Sequence, residues 1–511
     1  MTKKSFVGSA IVLMIAGLIV RVLGFIYRIY LSNLIGAEGM GIFQLISPVY
    51  SLIILTLSSG ISIAVSKMVA EQTAKNNHAN LPRITYCALA VVATAGLMVS
   101  IGILIFIDPI VNIILKDSRT YYSLILLLPC IPVIAAASAV KGYYYGVQDV
   151  VPTACSQIVE QVVRIGIVMA MSGYFLNIGL EYACALATVG MAIGEISNLT
   201  VLILIFKMRK KKIPPYKSKK DFMRKRTILA KIVKISVPVS FNRFITSMMG
   251  AVELILIPRM LLISGMNYQA SLAEYGKLTG MAMPLVFFPS LVTSSLATTL
   301  VPAISEALSL KNFKTVNYRI SKSIQFTFIL GFIFTSIFIG FSNEIGSLIY
   351  KNENIGDILY LLSFTCIFIY LQQTLLGILN GLGKQGISLR NSIVGYIIRI
   401  LFVVYFIPAY GVKGYIAGII VSSACVCILN TYTVTKMTGM VLDFRNWILK
   451  PGIVCIVIIF VDKYINSFFN IFNIGGKGAV IAYILGNAAV AFGLMFVVGA
   501  IDKEEVLKLF K

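Results

Sequence analysis

The sequence is poor in the residues on which most catalytic and metal sites depend. It contains one histidine, His78 in a polar loop, which argues against a histidine-based metal or acid–base site. The eight cysteines all lie inside apolar runs, and no Cys-x-x-Cys pair indicates metal or redox chemistry. Since no catalytic constellation is present either, we expect a protein that is not an enzyme and that holds no metal or cofactor.

Acidic residues are also scarce, with 20 Asp and Glu against 44 Lys and Arg. Hydrophobic residues, in contrast, make up 58% of the 511 residues, and the mean hydropathy is +0.90. Apolar runs of about 20 residues recur along the chain, so the composition predicts an all-α polytopic membrane protein. We predict about 14 transmembrane helices, near residues 6–31, 42–66, 84–107, 121–140, 153–172, 182–206, 235–258, 278–305, 323–342, 358–382, 391–409, 414–435, 447–461 and 478–501.

The basic residues are distributed unevenly about these spans. With the N-terminus in the cytoplasm, 31 Lys and Arg fall inside, 7 outside and 6 within spans. Basic loops stay on the cytoplasmic side, so we expect both termini in the cytoplasm. The most basic segment, 207–234, is expected to fix topology and attract anionic lipid headgroups rather than nucleic acid. The only tryptophan, Trp447, stands at a predicted interface, where we expect a membrane anchor.

The second half of the sequence repeats the first. At an offset of 235, Gly142, Gly146 and Arg164 align with Gly377, Gly381 and Arg399, and at 232 Asn198 aligns with Asn430. The repeat predicts two pseudo-symmetric six-helix lobes related by an axis along the membrane normal. The paired glycines are expected to allow close helix contacts. The predicted organisation is an N-lobe at 1–206, a basic linker at 207–234, a C-lobe at 235–437, and two further helices at 438–511.

The first predicted span carries two arginines on one face. Gly17, Arg21, Gly24 and Arg28 lie at i, i+4, i+7 and i+11, which is a single helical stripe. An arginine at mid-bilayer costs about 2.5–3.5 kcal/mol on insertion scales, so such residues generally have a function. The stripe therefore predicts a cationic face that lines a cavity for an anionic substrate, although Arg28 alone is equally explained by snorkelling to the headgroups.

Other charged residues fall within the predicted spans. Glu160 and Arg164 have the spacing of an intrahelical pair, which either packs the N-lobe or contributes to coupling. Arg399 repeats Arg164, but Gly395 stands in place of its acid, so its partner must come from another helix, a water-filled cavity or a ligand. We therefore count Arg399 among the candidate substrate-binding residues. The two remaining acids, Glu195 and Glu253, are candidates for ion or proton coupling or simply balance nearby arginines.

Two more basic residues complete the candidate substrate site. These are Arg243 in the seventh span and Lys277 at the mouth of the eighth, which we expect near the level of Arg28. Six basic against three acidic residues leave a surplus of +3 within the spans. This sign favours an anionic substrate, such as a lipid-linked pyrophosphate, over a hydrophobic cation.

The sequence also resembles a known family. The stretch Arg21-Val-Leu-Gly-Phe25 resembles the first helix of MurJ-type lipid II flippases, where arginines of that helix are required for function. Lys277, ahead of Met283-Pro284-Leu285, corresponds to a basic residue that opens helix eight there. The sequence also resembles the stage V sporulation protein B group of polysaccharide exporters over nearly the whole chain, at 35–41, 62–67 and 152–164. This group and the MurJ-type flippases both belong to the multidrug/oligosaccharidyl-lipid/polysaccharide (MOP) superfamily.

The resemblance implies a V-shaped cationic cavity and a groove at helices thirteen and fourteen that guides a lipid tail. We therefore expect a bacterial flippase that moves a lipid-linked cell-wall precursor across the cytoplasmic membrane, with lipid II on undecaprenyl pyrophosphate as substrate and a monomer as the working form. Coupling to the membrane potential, Na+ or H+ is left open. The alternatives are a cation-coupled drug antiporter of the same superfamily and a membrane scaffold that transports nothing.

Overall fold

The computed structural model describes residues 6–75, 77–210, 223–350, 352–472 and 477–500. Every regular element in these ranges is helical, which confirms the predicted all-α fold. Short π-helical segments occur at Ile110–Leu115, Gly276–Ala282 and Arg445–Leu449. The main helices are α1 (Phe6–Ala74), α2 (Asn80–Ile105), α3 (Tyr121–Leu127), α4 (Cys130–Gly146), α5 (Val151–Ile178), α6 (Leu180–Lys210), α7 (Lys225–Ile263), α8 (Tyr268–Tyr275), α9 (Met283–Phe287), α10 (Ser290–Ser309), α11 (Phe313–Gly340), α12 (Ser342–Ile349), α13 (Gly356–Ser363), α14 (Cys366–Gly381), α15 (Gln385–Tyr410), α16 (Val412–Thr438), α17 (Lys450–Phe472) and α18 (Lys477–Val497).

Many of these helices are suited to a bilayer. Within the described ranges nine are long and apolar enough to cross a membrane, or eleven if each of two bent pairs is one span. One of the nine, Ile15–Ala74, has 60 residues and would be about 90 Å long if straight. Gly36 divides it, with φ 67° and ψ −173°, between the predicted spans 6–31 and 42–66. The total of 14 spans stays a prediction.

The chain divides into two compact units, Met1–Ile255 and Leu256–Lys511, called here the N-terminal and C-terminal units. This division lies inside α7, whereas the predicted C-lobe begins at residue 235. The first half of α7 packs with the N-terminal unit, because Ile228 and Ile232 are fully buried in its core. Of the predicted linker, 207–234, residues 211–222 lie outside the described residues.

Both units contain a bent helix at the same point of the repeat. α3 and α4 meet at 41°, and α13 and α14 meet at 51°. The helices after the bends begin at Cys130 and Cys366, which are 236 positions apart. Pro129 accounts for the first bend, because proline removes a backbone donor. The second bend has no proline and was not predicted.

The paired glycines of the N-terminal unit pack α4 against α1, as predicted. A Cβ added to Gly142 would lie 2.7 Å from the carbonyl oxygen of Ser62. One turn later, a Cβ on Gly146 would lie 2.7 Å from the carbonyl oxygen of Ser66. Only glycine permits this approach of two backbones.

The same contact recurs in the C-terminal unit, between α14 and α10. A Cβ on Gly377 would lie 2.6 Å from the carbonyl oxygen of Ala297, and one on Gly381 would lie 3.2 Å from that of Val301. Both partners stand 235 positions after the serines of the first unit. The repeat detected in the sequence therefore corresponds to the same close helix contact in both units.

Trp447 differs from its prediction. Its side chain is 3% exposed and belongs to a core cluster of the C-terminal unit with Leu371 and Leu375. The predicted membrane anchor is therefore wrong, and Trp447 is a core residue. Hydropathy located it near a span end but could not tell whether its ring faced lipid or protein.

The two C-terminal helices meet at a buried carboxylate. Asp462 of α17 is 1% exposed, and its Oδ1 accepts a hydrogen bond from the side-chain amide of Asn487 of α18. α17 also packs on the end of α11, where a Cβ on Gly340 would lie 2.5 Å from Asp462 Oδ2. Glycine at this position allows the carboxylate to fit.

Candidate functional site

The N-terminal unit buries a polar cluster between α5 and α6. Arg164 Nη2 donates to Glu160 Oε1 at 2.6 Å. Asn198 Nδ2 donates to Glu160 Oε2 at 2.8 Å and to Glu195 Oε2 at 3.2 Å. Glu160, Glu195 and Asn198 are 8%, 9% and 0% exposed. The predicted ion pair is therefore present, and Asn198 links it to the second acid.

Two glycines of α6 bring α5 close enough for this cluster to form. A Cβ on Gly194 would lie 3.1 Å from the carbonyl oxygen of Glu160 and 3.4 Å from Arg164 Cβ. One turn earlier, a Cβ on Gly190 would lie 2.6 Å from Val168 Cγ2. Small residues four apart are a common basis of close helix contact in membranes.

The cluster has capacity for a further polar group or ion. It contains two carboxylates and one guanidinium, so its formal charge is −1 when all three are ionised. Within the described residues, the acceptors Asn198 Oδ1 and Gln161 Oε1 and the donor Arg164 Nε are buried without a hydrogen-bond partner. The phenol of Tyr50 lies within electrostatic range of both acids. These oxygens suit a cation or a proton rather than an anion.

The C-terminal unit buries a pair of amides near the equivalent position. Asn391 Nδ2 donates to Asn430 Oδ1 at 2.8 Å, and the two residues are 1% and 2% exposed. Asn430 repeats Asn198. The pairing with Asn391 was not predicted, although an asparagine in an apolar helix is a signal for a buried partner.

Large and small residues have exchanged places between the units. In the N-terminal unit Glu160 lies against Gly194, while in the C-terminal unit Gly395 lies against Val426. A Cβ on Gly395 would lie 2.6 Å from Val426 Cγ2. Val426 follows Gly194 by the offset of 232. The missing acid is therefore compensated by a larger residue on the facing helix.

Arg399 lines a cavity of about 140 Å³ in the C-terminal unit. Its guanidinium carbon lies 4.7 Å from the centre of the Tyr396 ring, over which it stacks. Gln372, Thr365 and Ser423 contribute the polar part of the lining, and most of the rest is apolar.

Lys277 lies between two carboxylates. Its Nζ is 3.6 Å from Glu274 Oε1 and 3.5 Å from Glu353 Oε2. The predicted surplus of +3 counted Lys277 but neither acid, so it overstates the positive charge at this point. Glu353 was missed because it comes from a connecting segment far along the chain.

The stripe of the first helix is partly exposed. Arg21 is exposed and Arg28 is half-buried. A Cβ added to Gly17 or Gly24 would meet nothing within 4 Å, in contrast to the tightly packed glycines of α4. The side of α1 that carries the arginines is thus accessible, as a substrate-facing surface requires.

The last two predicted residues lie on α7. Arg243 is exposed and makes no ion pair within the described part of the chain. Glu253 is 2% exposed.

Asp462 of α17 was missed because the predicted span 447–461 ended one residue too early. Of the residues that the structure describes, no three His, Cys, Asp or Glu form a group suited to a metal ion.

Comparison with family models gives two matches. The model described as polysaccharide biosynthesis protein matches residues 6–308, and the MatE model matches residues 238–405.

Curated relatives agree with these matches. Stage V sporulation protein B of Bacillus subtilis (strain 168) is 29% identical over 517 residues, covering 100% of this chain and 98% of that protein. Lipid II flippase MurJ of the same organism is 25% identical over 415 residues, covering 76% and 75%.

Solved structures share the fold. A lipid II flippase MurJ in an inward closed conformation has a TM-score of 0.72 at 15% identity, covering 97% of this chain and 100% of that one. An inward-facing multidrug resistance MATE family transporter of the MOP superfamily has a TM-score of 0.66 at 15% identity, covering 82% and 94%. The chain is thus a multi-pass membrane protein with the MOP-superfamily fold.

Proposed function

Since the chain belongs to the polysaccharide biosynthesis protein family, we propose that it is a flippase for a lipid-linked cell-wall precursor in the cytoplasmic membrane. The proposed substrate is lipid II on undecaprenyl pyrophosphate, for peptidoglycan or spore cortex. The names of two relatives, a sporulation protein and a lipid II flippase, support this class of substrate. The proposed working form is a monomer with both termini in the cytoplasm.

The accessible arginine stripe of α1 is the observation that carries this proposal. Arg21 is exposed on an apolar helix, and the glycines beside it, Gly17 and Gly24, leave open space. Guanidinium groups bind the oxygens of phosphates in a bidentate geometry. In a bilayer such a surface stabilises the pyrophosphate while the glycan crosses and the prenyl tail stays in lipid beside α17 and α18.

In transport by alternating access, a ligand shifts the equilibrium between the inward-open and outward-open states only by its difference in affinity for them. Net transport in one direction also requires an energy source or a concentration difference. We propose the buried cluster of Glu160, Glu195 and Asn198 as the coupling site for Na+ or H+. The membrane potential is the other candidate, worth about 2.3 kcal/mol per charge per 100 mV across the full field. Equal transport with and without a membrane potential would exclude the membrane potential as the energy source.

A cation-coupled drug antiporter is the rival function. The MatE match over 238–405 and the acidic cluster of the N-terminal unit favour it. It predicts cation-dependent efflux of cationic dyes, which Glu195→Gln abolishes. Under the flippase proposal, cells with and without the protein export such dyes equally.

The decisive experiment measures lipid-linked precursor in cells depleted of the protein and complemented with variants. We expect accumulation on the cytoplasmic side, clearance by wild type, and at least tenfold slower clearance by well-expressed Arg21→Ala. Arg21→Lys keeps the charge and is expected to retain partial activity. The matched control is Lys314→Ala, which removes an exposed basic residue from the first turn of α11. A precursor level that never changes, or full activity of Arg21→Ala, contradicts the proposal; the latter is also what a scaffold predicts.

Lys277 offers a second comparison in the same assay. Lys277→Ala leaves Glu274 and Glu353 facing each other, so its loss of activity is ambiguous by itself. The double variant Glu274→Gln/Glu353→Gln keeps the lysine and removes both competing carboxylates. If Lys277 binds the anionic substrate, this variant should clear precursor at least as fast as wild type.

A further inference from the structure

The contact between Asp462 and Asn487 lies at the centre of the two C-terminal helices. Asp462 stands 12 residues after the first residue of α17 and 10 before the last, and Asn487 is the middle residue of α18. At 1.5 Å per residue, about 15–18 Å of helix separates the pair from the helix ends. The two residues are 1% and 8% exposed. The acid is therefore buried far from the aqueous ends of its helix.

The surroundings of this acid supply no counter-charge. Within the described ranges Asp462 makes no ion pair, and the groups that act on its carboxyl are Asn487 and Tyr483 of α18. On α17 the titratable neighbour is the buried Cys455 thiol. The third helix of the contact, α11, ends at Gly340 and carries no charged residue in its last 18 positions. A carboxylate buried without a counter-charge is strongly disfavoured relative to a neutral acid.

Two of the four polar atoms in the acid–amide contact lack a partner. Asn487 Nδ2 donates a hydrogen bond to Asp462 Oδ1. The other two atoms, Asp462 Oδ2 and Asn487 Oδ1, are buried and have no hydrogen-bond partner in the described part of the chain. Both are acceptors when the acid is ionised, and turning the amide over only changes which carboxyl oxygen lacks a donor. A single proton on Oδ2 supplies the missing donor for the amide oxygen.

Tyr483 does not remove the need for this proton. Its phenol lies close enough to the Asp462 carboxyl for the two groups to influence each other. A phenol has one proton to donate. If that proton went to Asp462 Oδ2, Asn487 Oδ1 would still lack a donor, and the buried site would keep its full negative charge.

From this geometry we propose that Asp462 is a proton-binding site, in which Oδ2 carries a proton at neutral pH and donates it to Asn487 Oδ1. Acid and amide then hold each other by two hydrogen bonds, and these bonds join α17 to α18. Loss of the proton leaves a carboxylate oxygen beside an amide oxygen in an apolar interior, which weakens the contact between the helices. The site lies within the C-terminal unit and does not depend on the transported substrate.

Infrared spectroscopy tests the protonation state directly, because the carbonyl stretch of a carboxylic acid is distinct from the bands of a carboxylate. Spectra of the purified full chain are recorded at neutral pH in a detergent without ester groups. We expect Asp462→Asn to lose a carboxylic acid band that the wild type shows. The matched control is Asp357→Asn, which removes an exposed aspartate of the same unit and should leave that band unchanged.

The thermal midpoint gives a second readout. Trp447, the only tryptophan, lies in the core of the C-terminal unit, so its fluorescence reports the unfolding of that unit. An aspartate in an unfolded chain, with its ordinary pKa of about 4, is ionised at neutral pH. Folding therefore takes up one proton, and the stability that Asp462 contributes falls as the pH rises.

Asp462→Asn isolates this contribution, because an amide accepts and donates the same two hydrogen bonds without a titrating proton. A buried amide pair, Asn391 with Asn430, already occurs in the same unit. We expect the wild-type midpoint to fall relative to that of Asp462→Asn by about 3–5 °C per pH unit between about pH 6 and 8. The same comparison with Asp357→Asn should show no such trend.

The proposal requires both results, the lost band and the falling midpoint difference. An unchanged infrared band, or a midpoint difference that stays constant over this pH range, overturns it and means that Asp462 is ionised. Failure of Asp462→Asn to fold overturns it as well, since an amide replaces a neutral acid but not a carboxylate that accepts from two donors. The outcome of the flippase experiment affects none of these readouts.

Discussion

Arg164 donates a hydrogen bond of 2.6 Å to Glu160, one turn away on the same helix, inside the N-terminal unit. The side chains are 15% and 10% exposed, so neither charge is well solvated. Arg164→Gln leaves the carboxylate buried without its counter-charge. We expect it to lower the free energy of unfolding by about 3–5 kcal/mol, measured as loss of thermal stability in detergent.

The control for this pair removes both charges. Glu160→Gln/Arg164→Gln leaves a neutral amide at both positions and no unpaired charge at either, so it should cost clearly less than Arg164→Gln alone. If the double variant is as unstable as the single one, the pair contributes through packing and not through charge.

The repeated glycines predict matched defects in both units. Gly142→Ala forces a methyl group against the Ser62 carbonyl, and Gly377→Ala does the same at Ala297. Each should cost about 1–3 kcal/mol because a backbone cannot move aside cheaply. Gly166→Ala is the control, since nothing lies within 4 Å of its Cβ; helix propensity should make it neutral or stabilising. Equal stability of all three variants would refute this account.

The sequence predicted what depends on local spacing or on a constant offset. Glu160 and Arg164 are four apart on one helix, and Gly142 and Gly377 align at the offset of 235, so both relationships could be read from the sequence alone. The helical stripe of Arg21 indicated which face of α1 carries the arginines, and the substrate cavity expected at that face stays a prediction. These features depend on a fixed spacing or a constant offset, and both can be read from the sequence.

What escaped prediction depends on contacts that periodicity does not encode. Glu353 reaches Lys277 from a connecting segment, and Asn391 meets Asn430 across two helices with no charge to indicate it. The burial of Trp447 was missed for a related reason. Hydropathy gives the depth of a residue in the bilayer, but lipid and protein interior are both apolar, so it does not give the face.

The contact between α11 and α17 predicts a position that is sensitive to substitution and that the sequence repeat does not indicate. Gly340→Ala would place a methyl group 2.5 Å from Asp462 Oδ2, so we expect a loss of about 1–3 kcal/mol. Gly452→Ala on α17 is the control, because its Cβ would lie at an ordinary 3.7 Å from Phe332. Thermal unfolding of both variants decides the matter. Indistinguishable midpoints would mean that the carboxylate is not held against α11.

The turn before α17 predicts a pH dependence outside the membrane. Asp443 Oδ1 accepts from the backbone N–H of Asn446 at 3.1 Å, and Oδ2 accepts from its side-chain amide at 2.6 Å. These bonds, the side-chain one foremost, and the charges of Lys450 and Arg445 hold the pKa of Asp443 below its ordinary value. Stability from this carboxylate is therefore present above its ordinary pKa and is lost as the pH falls through the lowered value, below about pH 4.

Trp447 makes this loss measurable, because its backbone N–H donates to the carbonyl oxygen of Asp443 at 3.0 Å. We expect a step in tryptophan fluorescence on acidification of wild type and no such step in Asp443→Asn. Asp443→Ala removes both side-chain bonds at every pH and should cost about 0.5–2 kcal/mol at neutral pH, as loss of a helix cap does. Asp357→Asn, in the first turn of α13, is the control for acid titration elsewhere in the C-terminal unit. A fluorescence step that persists in Asp443→Asn and disappears in Asp357→Asn would assign the acid sensitivity to α13, because the turn at Asp443 would then be intact throughout the titration.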